Sequence, residues 1–137
     1  MLEEVVAELH AAGIEAALAP LGMMIEVPAA ALTAASFAAG FYSIGSNDLV
    51  QYLMAASRDN PNVAPLYDPG NPAVHALIRQ VVEVAAARGV EVSLCGDMAS
   101  DPAHLPILLG AGLRRLSVTP AKLAPVKAAI AGWPARR

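Results

Sequence analysis

Four times along this chain an apolar run of strand length gives way to a segment with helical spacing, and that alternation leaves few folds open. The runs fall at 21–27, 41–45, 90–94 and 116–118. Pro28, Pro72 and Pro120 stand where helices begin, and Gly13 and Gly89 where they end. An earlier helix over 2–12 places Leu2, Val5, Val6 and Leu9 on one side and Glu3, Glu4 and Glu8 on the other. Strand–helix units joined by right-handed crossovers make an α/β fold with a parallel sheet. Four units are half of a (β/α)8 barrel, so the fold expected is the carboxyl-terminal half of a TIM barrel, a single incomplete domain over 1–137. Such a half leaves two unpaired strand edges and an apolar inner face. It calls for its missing half or a second copy.

The longest predicted helix starts at Pro72 and turns Val74, Leu77, Ile78, Val81, Val82 and Ala85 inward. Residues 101–102, Asp-Pro, read as the start of the next helix, which runs to Leu109. Residues 55–71 are dense in Asn, Asp, Pro and Gly, the composition of a long functional loop after a strand–helix turn.

Size permits a real core, since 137 residues bury roughly two-thirds of their unfolded surface. Hydrophobic residues make up 56% and charged residues 15%, so a partner surface is expected. A net charge of -3 and the lack of a basic cluster beyond the Arg136-Arg137 tail argue against nucleic acid. No run reaches the ~20 apolar residues of a membrane span, and the start lacks a signal peptide's pattern, so the expectation is a cytoplasmic protein. One cysteine, Cys95, excludes an internal disulfide and a cysteine zinc site.

Chemistry gathers at the strand ends. Parallel sheets bind ligands beyond the carboxyl ends of their strands. There the chain places Glu26, then Asn47 with Asp48, then Cys95 with Gly96, then Thr119, with Arg58 in the long loop. Two carboxylates from neighbouring strands suit Mg²⁺, which takes a few protein oxygens and completes its octahedron with water and phosphate. An arginine grips phosphate or carboxylate through paired donors, and glycines admit close backbone approach to an anion. The pattern suggests a small phosphorylated acid bound through a metal.

The segments Gly22-Met23-Met24-Ile25-Glu26-Val27-Pro28, Ser43-Ile44-Gly45-Ser46-Asn47-Asp48-Leu49-Val50-Gln51-Tyr52, Leu66-Tyr67-Asp68-Pro69 with Asn71-Pro72, and Cys95-Gly96-Asp97-Met98-Ala99-Ser100-Asp101-Pro102 together resemble the carboxyl-terminal region of the phosphoenolpyruvate-utilising enzymes. Among these the likeness is greatest to the enzyme I type of the bacterial phosphotransferase system, which serves sugar transport. The resemblance implies a barrel that binds phosphoenolpyruvate and Mg²⁺, passes the phosphoryl group to a histidine on a separate swivelling domain, and releases pyruvate. From that histidine a small phosphocarrier protein takes the group. By the same resemblance Glu26 and Asp48 ligate the metal, Asn47 and Asp48 hold the phosphate, Arg58 binds substrate oxygens, and Cys95 protonates the enolate carbon. The family's upstream arginines and phosphohistidine domain are not in this sequence. Asp97 stands where glutamate is usual, and Ser57-Arg58-Asp59-Asn60 is spelled more like pyruvate phosphate dikinase.

Two alternatives stay open: a fragment of pyruvate phosphate dikinase or phosphoenolpyruvate synthase, and an inactive remnant that binds a partner or dimerises. Blander roles exist for each residue. A strand-end acid caps or is solvated, Asn-Asp suits a helix N-cap, and a free cysteine is often a small buried hydrophobe. Met23, Met24, Met54 and Met98 read as core filler, and Tyr67 and Asp68 as residues that shape the loop. His10, His75 and His104 fall on predicted helices away from the strand ends, so none is a phosphoryl acceptor.

Overall fold

A computed structural model describes residues 1–134; the remainder of the expected tail, including Arg136-Arg137, lies outside the described residues. The elements run α1 (Leu2–Ala11), β1 (Met23–Ile25), α2 (Pro28–Leu32), β2 (Phe41–Gly45), α3 (Ser46–Met54), α4 (Pro72–Arg88), β3 (Glu91–Cys95), α5 (Asp97–Ser100), α6 (Leu105–Gly110), β4 (Leu116–Ser117) and α7 (Pro120–Ala131). The four strands form one all-parallel sheet in the order β1-β2-β3-β4. This is the α/β arrangement expected of the second half of a (β/α)8 barrel, with β1 and β4 as open edges.

Register explains what each face does. Ile25, Ile44, Leu94 and Leu116 lie side by side across the sheet. Their face packs on the helices, and Ile25, Tyr42, Ile44 and Leu94 are fully buried among Leu49, Val50, Val74, Ile78, Val81, Met98 and Leu108. The helix α4 buries the six residues its periodicity predicts, opened by Asn71, whose side chain accepts the Ala73 N–H at 2.9 Å, and closed by Gly89 in the left-handed region. Tyr42 satisfies its buried hydroxyl by donating to the carbonyls of Ala34 and Phe37 at 2.9 and 3.1 Å.

The opposite face departs from expectation. Strand alternation gives it Met24, Phe41, Ser43, Glu91, Ser93, Cys95 and Ser117, a mixed surface of small and polar groups on which the apolar side chains of Met24 and Phe41 are exposed. Met24 is 47% exposed and is not core filler. Helix α1 likewise buries none of its residues, although its apolar stripe is where the sequence puts it.

Two boundaries move by two residues or more. β1 covers Met23–Ile25 and not 21–27, because an edge strand has a ladder on one side and Pro28 ends it by opening α2. After β3 a helical turn, α5, starts directly beyond Gly96, and Pro102 breaks the helix there, so α6 begins at Leu105 and not at Asp101. Proline has no N–H to continue the ladder and its ring clashes with the preceding turn. Asp101 instead accepts the Ala103 N–H at 2.9 Å as a local turn, and His104 precedes α6 without lying in it.

Candidate functional site

The carboxyl ends of β1, β2 and β3 meet in a small cleft of ≈ 130 Å³ lined by Met24, Glu26, Gly45, Ser46, Asn47, Asp48, Cys95 and Gly96. Its geometry comes from the ladder. Gly45 pairs with Cys95, and Cys95 with Ser117, so these residues share one level and one face. Glu26 stands one residue beyond Ile25 and joins that level. A Cβ placed on Gly45 falls 2.9 Å from both Cβ and Oε2 of Glu26 and 3.2 Å from Sδ of Met24. The glycine therefore leaves the space that the Glu26 carboxylate occupies over the end of β2.

Helix α3 starts at the next residue, which turns Asn47 and Asp48 into its first turn beside Glu26. Gly45, not Asn47 or Asp48, is its N-cap residue, and the Asn47 side chain works elsewhere. Its Oδ1 accepts the backbone N–H of Asp97 at 2.8 Å and so ties α3 to the loop after β3. Beneath it the buried Ser46 hydroxyl donates to the Cys95 carbonyl at 2.8 Å. Gly96 makes both bonds sterically feasible. Its φ of 105° and ψ of -172° belong to a region that only glycine enters freely.

Cys95 is half-buried, with Sγ 3.6 Å from the Ile44 carbonyl and 3.9 Å from the Ser43 hydroxyl. Arg58 does not line the cleft. From the long loop its Nη1 lies 3.5 Å from Oδ2 of Asp97, which puts a guanidinium at the rim. Tyr67, from the far end of the same loop, donates its hydroxyl to the Asn47 carbonyl at 3.3 Å. Burial raises the Tyr67 phenol above its ordinary value; Arg58 opposes the rise, and Asp97 and Asp48 add to it.

The structure thus brings Glu26, Asn47, Asp48 and Cys95 to one opening, with Arg58 beside it through Asp97. Ser46 and Asp97 carry supporting bonds that sequence spacing alone does not reveal, while Tyr67 shapes the loop as expected. A glycine directly after the strand-end cysteine was the legible sign that the backbone there is unusual. Two carboxylates on one small cleft fit a hard cation that keeps water and substrate oxygens in its shell. No group of three or more His, Cys, Asp and Glu side chains forms a metal cage among the described residues. No helix there is long and apolar enough to cross a membrane.

Tyr67 also carries a stability prediction. The folded phenol titrates higher than the unfolded one, so its burial contributes fully below the unfolded value of ~10 and that contribution is lost as pH rises past it. Urea midpoints measured between pH 9 and pH 11 are expected to fall less steeply in Tyr67→Phe than in the parent chain. Equal slopes would refute the assignment.

Known proteins resemble this chain throughout. The family model described as PEP-utilising enzyme, PEP-binding domain, matches residues 1–134. A phosphoenolpyruvate-protein phosphotransferase from Bacillus sp. (strain S) is 49% identical over 110 residues, covering 79% of this chain and 19% of that protein. The protein of that name from Bacillus subtilis (strain 168) is 46% identical over 112 residues, covering 80% of this chain and 20% of its own. The one from Mycoplasma genitalium is 48% identical over 113 residues, with 81% and 20% covered. The chain spans about a fifth of the length of these relatives.

Proposed function

Since the chain belongs to the phosphoenolpyruvate-utilising enzymes through their phosphoenolpyruvate-binding domain, we propose that its cleft is the phosphoenolpyruvate site of a phosphoenolpyruvate-protein phosphotransferase. The observation that supports this reading most is the convergence of Glu26, Asn47, Asp48 and Cys95 on one opening.

In this reading Glu26 and Asp48 hold Mg²⁺, which supplies charge neutralisation to the phosphate when bound. The Asn47 turn orients the phosphate, and Arg58 supplies paired donors to substrate oxygens at the rim. Phosphoryl transfer asks mainly for such positioning. The bond from phosphorus to the enol oxygen breaks, the phosphoryl group passes to a histidine nitrogen on a separate domain, and the electron pair stays on the enolate. Cys95 then gives its thiol proton to the enolate carbon, pyruvate leaves, and water reprotonates the thiolate. A small phosphocarrier protein draws the group from the histidine. The open edges of β1 and β4 take the rest of the barrel or a second copy of the chain. The names of the relatives favour this reading over a dikinase or synthase fragment.

Isothermal calorimetry tests it. Phosphoenolpyruvate is expected to bind the 137-residue chain with magnesium present and far more weakly after chelation. No heat at millimolar ligand in either condition would overturn the proposal and favour a remnant without a site.

A further inference from the structure

The long loop after α3 is tied to the edge of the cleft by Tyr67, a residue of the Leu66-Tyr67-Asp68-Pro69 segment. Tyr67 sits where the loop returns to α4, and its half-buried hydroxyl donates to the main-chain carbonyl of Asn47 at 3.3 Å. Arg58 lies nine positions earlier in the same loop. Arg58 in turn reaches Asp97, whose N–H is the donor to the Asn47 side chain. Tyr67, Asn47, Asp97 and Arg58 thus form a chain of contacts along one edge of the cleft.

A long arginine at an exposed loop loses rotamer freedom when it grips a ligand, and that cost falls when neighbours preset it. Asp97 alone presets it poorly, because its side chain is 81% exposed and the pair is screened by water. The Tyr67 phenol is rigid, better buried and uncharged, so it anchors the loop that carries Arg58 without competing for an anion. We propose that Tyr67 is a positioning residue: its hydroxyl locks the Arg58 loop to the Asn47 turn, so that the guanidinium and the turn meet an incoming phosphorylated acid in fixed register. The ligand class rests on the phosphoenolpyruvate reading; the lock itself does not.

Tyr67→Phe keeps the ring and deletes only the hydroxyl. With magnesium, this change in the parent chain is expected to lower phosphoenolpyruvate affinity about fivefold, the size of one lost neutral hydrogen bond. In an Arg58→Ala background the same change should cost less than about twofold, since the group it acts through is gone. Equal losses in both backgrounds, or none in the parent chain, would overturn the proposal. A ligand-free measurement separates this from failure of the substrate reading. Trypsin should cut after Arg58 several-fold faster in Tyr67→Phe, because an unlocked guanidinium enters the protease more readily. Unchanged cutting overturns the lock even if phosphoenolpyruvate does not bind. Faster cutting without binding by the parent chain leaves the lock standing and refutes the ligand.

Discussion

Asp48→Ala is expected to abolish magnesium-dependent phosphoenolpyruvate binding while the chain stays folded. Asp48 is half-buried in the first turn of α3, and no ion pair to it occurs among the described residues. Its contribution to the fold is the attraction of an acid to a helix N-terminus, about 0.3–1 kcal/mol, and melting should shift by only a few degrees. The ligand site loses much more. Removing groups that merely orient metal ligands costs roughly 10–100-fold, so deleting one of two proposed direct oxygen donors should cost at least about 100-fold. Asp59→Ala provides the comparison, as it removes the same charge from an exposed position in the neighbouring loop. Calorimetric titration with magnesium present should show binding for the parent and Asp59→Ala, and none for Asp48→Ala. Retained binding by Asp48→Ala would end its assignment as a ligand.

That contrast depends on a placement that could be read from sequence. The apolar runs at 21–27, 41–45 and 90–94 put Glu26, Asn47 with Asp48, and Cys95 at one rim because parallel strands all point the same way. The periodicity of α4 named its buried face residue by residue. Other features depend on neighbours distant in the chain. Met24 reads as core from its apolar surroundings, yet alternation along an edge strand turns it to the open face. The α5–α6 break was hidden because Asp101-Pro102 resembles a helix start, whereas the turn after Gly96 had already begun one. Arg58, Tyr67 and Asp97 are separated by up to 39 residues, and only the folded loop brings them together. Propensity and spacing carry no information about such contacts.

Gly96 is the position where one added methyl group is expected to damage both fold and site. At φ 105° and ψ -172° a side chain costs about 1–3 kcal/mol in backbone strain alone. The added Cβ would also lie 2.3 Å from the Ser46 Oγ and 2.8 Å from the Asn47 Oδ1, so both must move. Ser46 is fully buried, and losing its bond to the Cys95 carbonyl leaves a polar group unpaired at about 1–3 kcal/mol. The bond from Asp97 N–H to Asn47 adds about 0.5–1.5 kcal/mol. The sum, about 2.5–7.5 kcal/mol, is a large share of the roughly 5–15 kcal/mol that holds a domain together. Gly96→Ala should therefore melt more than about 10 °C below the parent, and any folded fraction should bind phosphoenolpyruvate weakly because the Asn47 turn has been displaced. Gly110→Ala separates this from a general effect of losing a glycine: it lies at the end of α6 with no atom within 4 Å of its added Cβ, and its melting should stay within a few degrees of the parent. Similar melting of the two variants would show that the crossing of β3 and α3 does not depend on an absent side chain, and the account of how Ser46, Asn47 and Cys95 are held together would have to be abandoned.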